Sequence, residues 1–299
     1  MNRKLLFVAL GGLAAFSLVG GVAVGPVSIP LGESFHLLFH SDSGSGLHGL
    51  IIHGIRLPRV LLGFLVGLSL ALSGGVMQGL FRNPLASPYV LGIASGASAG
   101  AAAVIALGFR GPLGLPLGAF VGGSLAVALV YRLAQTKAWR SSGFGLILAG
   151  VALGAAFAAV TSFLLFMTAG DRRLSEILFW TMGGLGRANW RYLWAMLPIA
   201  LLGTLSLQAV SRELNALALG EEGAFHLGIE PERLKLVLLA VTTLLTSTAV
   251  AFAGTIGFVG LITPHIVRLL IGPDHRALLP ATALSGGIFL VWADATART

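Results

Sequence analysis

The chain has no cysteine. That excludes disulfides, thiolate metal sites and a cysteine nucleophile, and it leaves the redox compartment open. Charge is scarce too. Asp, Glu, Lys and Arg make up 10% of the 299 residues, where a soluble domain carries about 25%. Lysine occurs three times, after Arg3, Thr136 and Leu234. None of the three stands in G-x-x-x-x-G-K-[ST], so no P-loop is present, and any ATP that drives this protein must bind another chain. Carboxylates are nearly missing from the apolar stretches; only Asp294 lies close to one, at its end. Ion-coupled carriers place Asp, Glu or His within the bundle, so this scarcity weighs against the alternative reading, an ion-coupled secondary carrier. A membrane enzyme would need a catalytic constellation, and His265 and Asp294 stand alone on distant segments.

What remains is apolar. Hydrophobic residues reach 56%, mean hydropathy is +0.92, and glycine occurs 42 times. This predicts an all-α, polytopic transmembrane bundle packed through small residues. Uncharged stretches place spans near 5–24, 60–81, 89–109, 113–131, 144–168, 193–210, 236–253, 255–270 and 277–297, about nine helices. The Leu5–Val24 run behind Arg3 and Lys4 imitates a secretory signal, but no small-x-small cleavage site follows, which favours a retained first helix. The 236–264 run is too long for one span and barely enough for two; Gly254, Gly257 and Gly260 predict a bend and a short or broken helix there.

Arg82-Asn83-Pro84 resists hydrocarbon depth, because a lipid-facing charge there costs roughly 2.5–3.5 kcal/mol. Pro84 and Pro88 also stop helices. One helix therefore ends near Phe81 and another begins near Tyr89. With the N-terminus inside, eleven basic residues fall in inner loops and eight outside, the sign expected of a membrane protein. The net charge of +8 thus reflects topology rather than nucleic-acid binding.

The loop Ser211–Lys235, SRELNALALGEEGAFHLGIEPERLK, sets Leu214, Leu217, Phe225, Leu227 and Ile229 among charges. It predicts two short amphipathic helices joined at Gly220–Gly223, and so a protein contact. His36, His40, His48 and His53 fall in the first outer loop; without a supporting carboxylate pattern they read as scattered, not as a metal site. A faint internal echo joins Gly79–Pro84 to Gly260–Pro264, as transporter repeats do.

Four segments carry a resemblance: IRLPR at 55–59, SGGVMQGLFRNPLASPYVLG at 73–92, LALGEEGAFHLG at 217–228 and GTIGFVGLITPHIVRLLIGPDHRALLP at 254–280. In this order they resemble the FecCD-type permease family of type II ABC importers, which take up ferric siderophores, haem and cobalamin. The resemblance implies one transmembrane permease domain over 1–299, multi-pass in a bacterial or archaeal inner membrane, with a cytoplasmic coupling loop at 211–235. It implies a second permease copy, two ATP-binding cassette subunits inside, an extracytoplasmic substrate-binding protein outside, surrounding lipid, no cofactor, no metal of its own and no bond chemistry.

The same resemblance assigns residues. Arg56, Arg59 and Arg298 would dock the binding protein. Asn83 and Leu85, opposite Ser141 and Ser142, would form the cytoplasmic gate. Leu219, Gly220, Glu221, Ala224, His226, Leu227 and Gly228 would contact the ATPase, with Pro264, His265 and Arg268 as support beside them. Gln78 would line the pathway. The Ser95–Gly100 stretch would either do the same or serve as ordinary small-residue packing. The family has ten helices, and nine spans here lead to the expectation of a bundle without its last helix and with its C-terminus outside.

Overall fold

The computed structural model describes residues 3–39, 46–109, 111–136 and 145–299. Its helices are α1 (Arg3–Ala23), α2 (Leu31–Phe39), α3 (Leu47–Leu50), α4 (Leu57–Leu80), α5 (Ile93–Ala106), α6 (Gly114–Ala134), α7 (Gly145–Met167), α8 (Arg172–Thr181), α9 (Trp190–Ala209), α10 (Ser211–Leu217), α11 (Glu221–His226), α12 (Pro231–Ala253), α13 (Val259–Ile271) and α14 (His275–Ala297). Among the described residues seven stretches are long and apolar enough to cross a membrane, and α5 and α13 are shorter apolar helices. Together they match the nine runs in the sequence.

The helix expected near 60–81 starts earlier. α3, a π-helical turn over Ile51–Arg56 and α4 form one rod of 34 residues, Leu47–Leu80. At 1.5 Å per residue this rod is about 50 Å long, more than the roughly 30 Å hydrocarbon slab. Pro58 sits in the first turn of α4. Its missing N–H and bulky ring disfavour a regular α-turn behind it, and the wider π-turn carries the helix past it.

α4 is the centre of the bundle, and glycine lets it be so. A Cβ on Gly67 would overlap Gly286 O of α14, and one on Gly74 would overlap Gly260 O of α13. At these two crossings backbone lies on backbone, the close approach by which helices associate in lipid. α5 and α6 repeat the device: Gly96 and Gly100 face Gly122 and Gly118. Within the Ser95–Gly100 stretch, Gly96 and Gly100 thus serve helix packing.

The 236–264 run breaks as expected. α12 ends at Ala253, Gly254 takes φ +67°, and α13 begins at Val259, with Gly260 against Gly74 of α4. Non-helical backbone inside a membrane needs partners, and it has them. Tyr89 Oη donates to Ile256 O (2.8 Å), Gly184 N to Ala253 O (2.6 Å), Thr255 Oγ1 to Thr181 O, and Gln78 Nε2 to Leu261 O (3.0 Å). Gln78, expected to line the pathway, is thus a buried brace for the broken helix, only 3% exposed.

Two elements were not foreseen. α8 lies in what reads as a loop, burying Ile177 and Trp180 and exposing Leu178 and Phe179. α2 orders part of the first outer loop. There His48 Nδ1 lies 2.7 Å from Glu33 Oε1 and His53 Nε2 2.8 Å from Leu37 O, while His40 lies outside the described residues.

The glycine crossings are directly testable. Gly74→Ala forces α4 and α13 apart and should lower stability in detergent by about 1–3 kcal/mol, the usual cost of overpacking. Gly11→Ala, with open space around it, should not. Equal melting temperatures for both variants would refute the crossing.

Candidate functional site

Functional candidates gather at the two ends of the bundle. At one end lie the α4–α5 turn and the loop from Ser211 to Glu230. α10 packs Leu214 and Leu217 into the core. Gly220 then turns the chain at φ +110°, a region favouring glycine, and starts α11. α11 holds on by buried Ala224, whose carbonyl accepts from Ile229 N (3.1 Å), and by Lys235 Nζ, which bridges Glu221 (2.8 Å) and Glu232 (2.9 Å). Gly228 (φ +79°) closes it, its N–H donating to Phe225 O at 2.9 Å. With α11 anchored, Leu219, Phe225 and Leu227 are left exposed, 62–74%, beside exposed Glu221 and His226.

The neighbouring turn is built by side chain and backbone together. Phe81 ends α4 and Arg82 takes φ +48°. Asn83 N donates to Gln78 O (3.2 Å), and Asn83 Oδ1 accepts from Leu85 N (2.9 Å), an Asx-type turn. Leu85 is thereby pushed out, 71% exposed. A Cβ on Gly220 would lie 3.7 Å from Arg82 Nη1, so this turn and the α10–α11 junction are neighbours. Ser141 and Ser142 lie outside the described residues. His265 Nδ1 and Arg268 Nη2 are buried without a partner among the described residues.

At the other end are the three arginines, and each is engaged within the chain. Arg56 is buried. Its Nη1 donates to Val22 O (3.2 Å) and Ala23 O (3.0 Å), and its Nη2 to Val27 O. It thus supplies donors to carbonyls that the end of α1 leaves open. Arg59 grips Asp294 with two arms, Nε at 2.9 Å from Oδ2 and Nη2 at 2.8 Å from Oδ1. Arg298 Nη2 donates to Gly21 O (2.6 Å), with Nε 3.5 Å from Asp294 Oδ2. Burial lowers the Arg298 pKa, opposed by Asp294. Two guanidinium groups, Arg59 and Arg298, thus share one carboxylate, while Arg56 is bound by backbone carbonyls. A cavity of about 230 Å³ lies between the α8–α9 loop and the broken helix, lined by Trp180, Arg187, Tyr192, Phe252 and Gly254.

Sequence reasoning missed two features. Asn215 joins α10 to the start of α14, contacting Asp274 and His275. Phe258 opens α13 at φ +66° and is 70% exposed, a conformation uncommon outside glycine. The glycines around the break were its only signal in the sequence. No group of three His, Asp or Glu side chains converges on a metal position among the described residues.

The model of the FecCD transport family matches residues 13–299. The chain belongs to that family. The cobalamin import permease BtuC of Halobacterium salinarum is 48% identical over 249 residues, covering 83% of this chain and 67% of that protein. The hemin transport permease HmuU of Yersinia pestis is 40% identical over 291 residues, 94% of this chain and 83% of that one. The solved structure of a metal-chelate type ABC transporter in an inward-facing conformation superposes with a TM-score of 0.87 at 34% identity, covering 99% of this chain and 90% of that one. This FecCD protein is accordingly a multi-pass transport permease with the fold of that transporter.

The arginine cluster of this permease makes its own prediction. Asp294→Asn leaves Arg59 and Arg298 without their carboxylate and should cost about 3 kcal/mol, as breaking a buried ion pair does. Thermal unfolding in detergent checks it; an unchanged melting temperature would show that the pair contributes nothing.

Proposed function

We propose that this chain is the transmembrane subunit of an ABC importer that moves a metal chelate, of the cobalamin, haem or ferric siderophore class, across the inner membrane by ATP-driven alternating access. Two copies form the pathway, two ATP-binding cassette subunits sit on the cytoplasmic side, and a binding protein delivers solute from outside. The observation that carries this reading is α11. Its Phe225 stands exposed, with Leu219 just before the helix and Leu227 just after it, and the helix is anchored from behind by Ala224 and Lys235. Apolar side chains offered to the aqueous side on a fixed helix suit a protein partner, and the chain carries no nucleotide-binding loop of its own. Asn83 and Leu85, beside that helix, act as the inner gate. An ion-coupled carrier is not favoured, since the spans carry so few carboxylates.

At the outer face, Arg56, Arg59 and Arg298 hold the corner together and leave it with excess positive charge. An acidic surface on the binding protein complements that charge, which speeds and orients encounter. The permease coexpressed with its ATPase and reconstituted in vesicles should take up chelate only with ATP and binding protein present. Uptake driven by an ion gradient without ATP would overturn the reading.

Two variants refine it. Gly220→Val cannot hold φ +110° without strain; it should displace α11 and reduce uptake by roughly tenfold or more, as uncoupling by 1–3 kcal/mol of strain implies. Normal uptake would remove α11 from the ATPase contact. Arg298→Gln should weaken binding-protein capture about three- to tenfold, most clearly at low salt where surface charge is least screened; equal capture at all salt concentrations would exclude the electrostatic corner.

A further inference from the structure

Asn215 lies half-buried on α10. Its Oδ1 accepts from the His275 backbone N–H (2.8 Å) and from His275 Nδ1–H (2.7 Å), and its Nδ2 donates to Asp274 Oδ1 (2.8 Å). Only this orientation of the amide satisfies all three contacts; turned over, its NH₂ would face the His275 backbone N–H and its oxygen the Asp274 carboxylate. It also fixes the imidazole. Nδ1 carries the proton, and Nε2 is left as an acceptor. Nε2 is buried without a partner among the described residues and lies against Gly79, where a Cβ would come within 2.7 Å of it and 3.1 Å of Leu214 Cδ1. Three elements therefore meet on one ring: α10, the start of α14 and the last turn of α4. Next to Gly79, Gln78 O accepts from Asn83 N (3.2 Å), and Asn83 Oδ1 holds Leu85 N (2.9 Å).

We infer that Asn215, acting through His275, is the positioning residue that carries movement of the α10–α11 pair into α14 and into the Asn83–Leu85 turn. The inference rests on reading that pair as the ATPase contact. The other ties from α10 to the bundle include Leu214 and Leu217, and aliphatic contacts are non-directional and allow sliding. The Asn215 contacts are directional and partly buried, and breaking them strands polar groups. α10 and α14 consequently move as one body. Because Gly79 has no side chain, the imidazole rests on α4 backbone and passes displacement straight to the turn that starts two residues later.

The test uses the reconstituted complex of permease, ATPase and binding protein, and measures chelate moved per ATP hydrolysed. Asn215→Asp sets a carboxylate 2.8 Å from Asp274 where a donor stood. Adding Asp274→Asn returns a donor to face it. Transport per ATP should fall about tenfold in N215D and return to within about twofold of wild type in N215D/D274N, the signature of direct coupling between two sites. Gly79→Ala, which displaces the ring without touching α10 polar groups, should lower the same ratio and should not respond to D274N. A merely structural role would not move the ratio in complexes that assemble normally. The inference is overturned if N215D moves as much chelate per ATP as wild type, if the double variant is no better than N215D, or if N215D loses the ATPase and D274N does not bring it back. Wild-type uptake without ATP would instead overturn the ATPase reading beneath it, a result visible before any variant is made.

Discussion

Backbone meeting backbone along α4 is the constraint on which the rest of the bundle depends. In lipid there is no hydrophobic drive to bring helices together, so contact has to come from close van der Waals fit and hydrogen bonds. Gly67 and Gly74 put α14 and α13 against α4 with nothing between the chains, and Gly79 admits the His275 ring. Such contacts have no soft side chain to absorb displacement. α4, α13 and α14 consequently form a stiff block. The elements at the margin are different in kind: α7 exposes Val151, Val160, Phe163 and Phe166, and that face is open to lipid or to another helix.

The stiff block can contain a broken helix because carbonyls at the break find donors from neighbouring elements. Several hydroxyls in the spans bond to the preceding turn, as Thr242 does to Leu238 O (2.6 Å) and Thr248 to Leu244 O (2.7 Å), which keeps them quiet in an apolar setting. The backbone at the break is served by Tyr89 on Ile256 O and by Gly184 N on Ala253 O, while Thr255 reaches out to Thr181 O and Gln78 braces Leu261 O in the first turn of α13. Gly254 and Gly183 are both at positive φ, and a Cβ on either would strike the loop that carries the other. The two loops interlock, and this fixes the floor of the nearby cavity.

Much of this was legible in the sequence. Uncharged runs gave nine helices, Arg82-Asn83-Pro84 marked the end of α4, glycines announced the break after α12, and the Ser211–Lys235 pattern announced two short helices about Gly220. What was hidden depends on partners that sequence spacing does not reveal. Arg56 looks like a surface charge until the carbonyls of Val22, Ala23 and Val27 are brought to it across some 30 residues. Asn215 and His275 are 60 residues apart. α8 has only ten residues, too few for periodicity to stand out among its charges. The Gly79–Pro84 and Gly260–Pro264 echo dissolves in three dimensions: the first segment closes a helix, while the second lies inside α13.

The ties that hold α1 have a consequence for the order in which the chain is assembled. Ser17 Oγ accepts from Trp292 Nε1 (2.9 Å) across 275 residues, and Gly21 O accepts from Arg298 across 277. Insertion runs from the N-terminus, so α1 enters the bilayer long before either partner is made. Arg56 arrives first and caps the carbonyls at its end. The remaining polar groups of α1 stay provisional until α14 is in place. The earliest of these helices to be synthesised thus waits for α14, about 275 residues later, before its polar groups are locked.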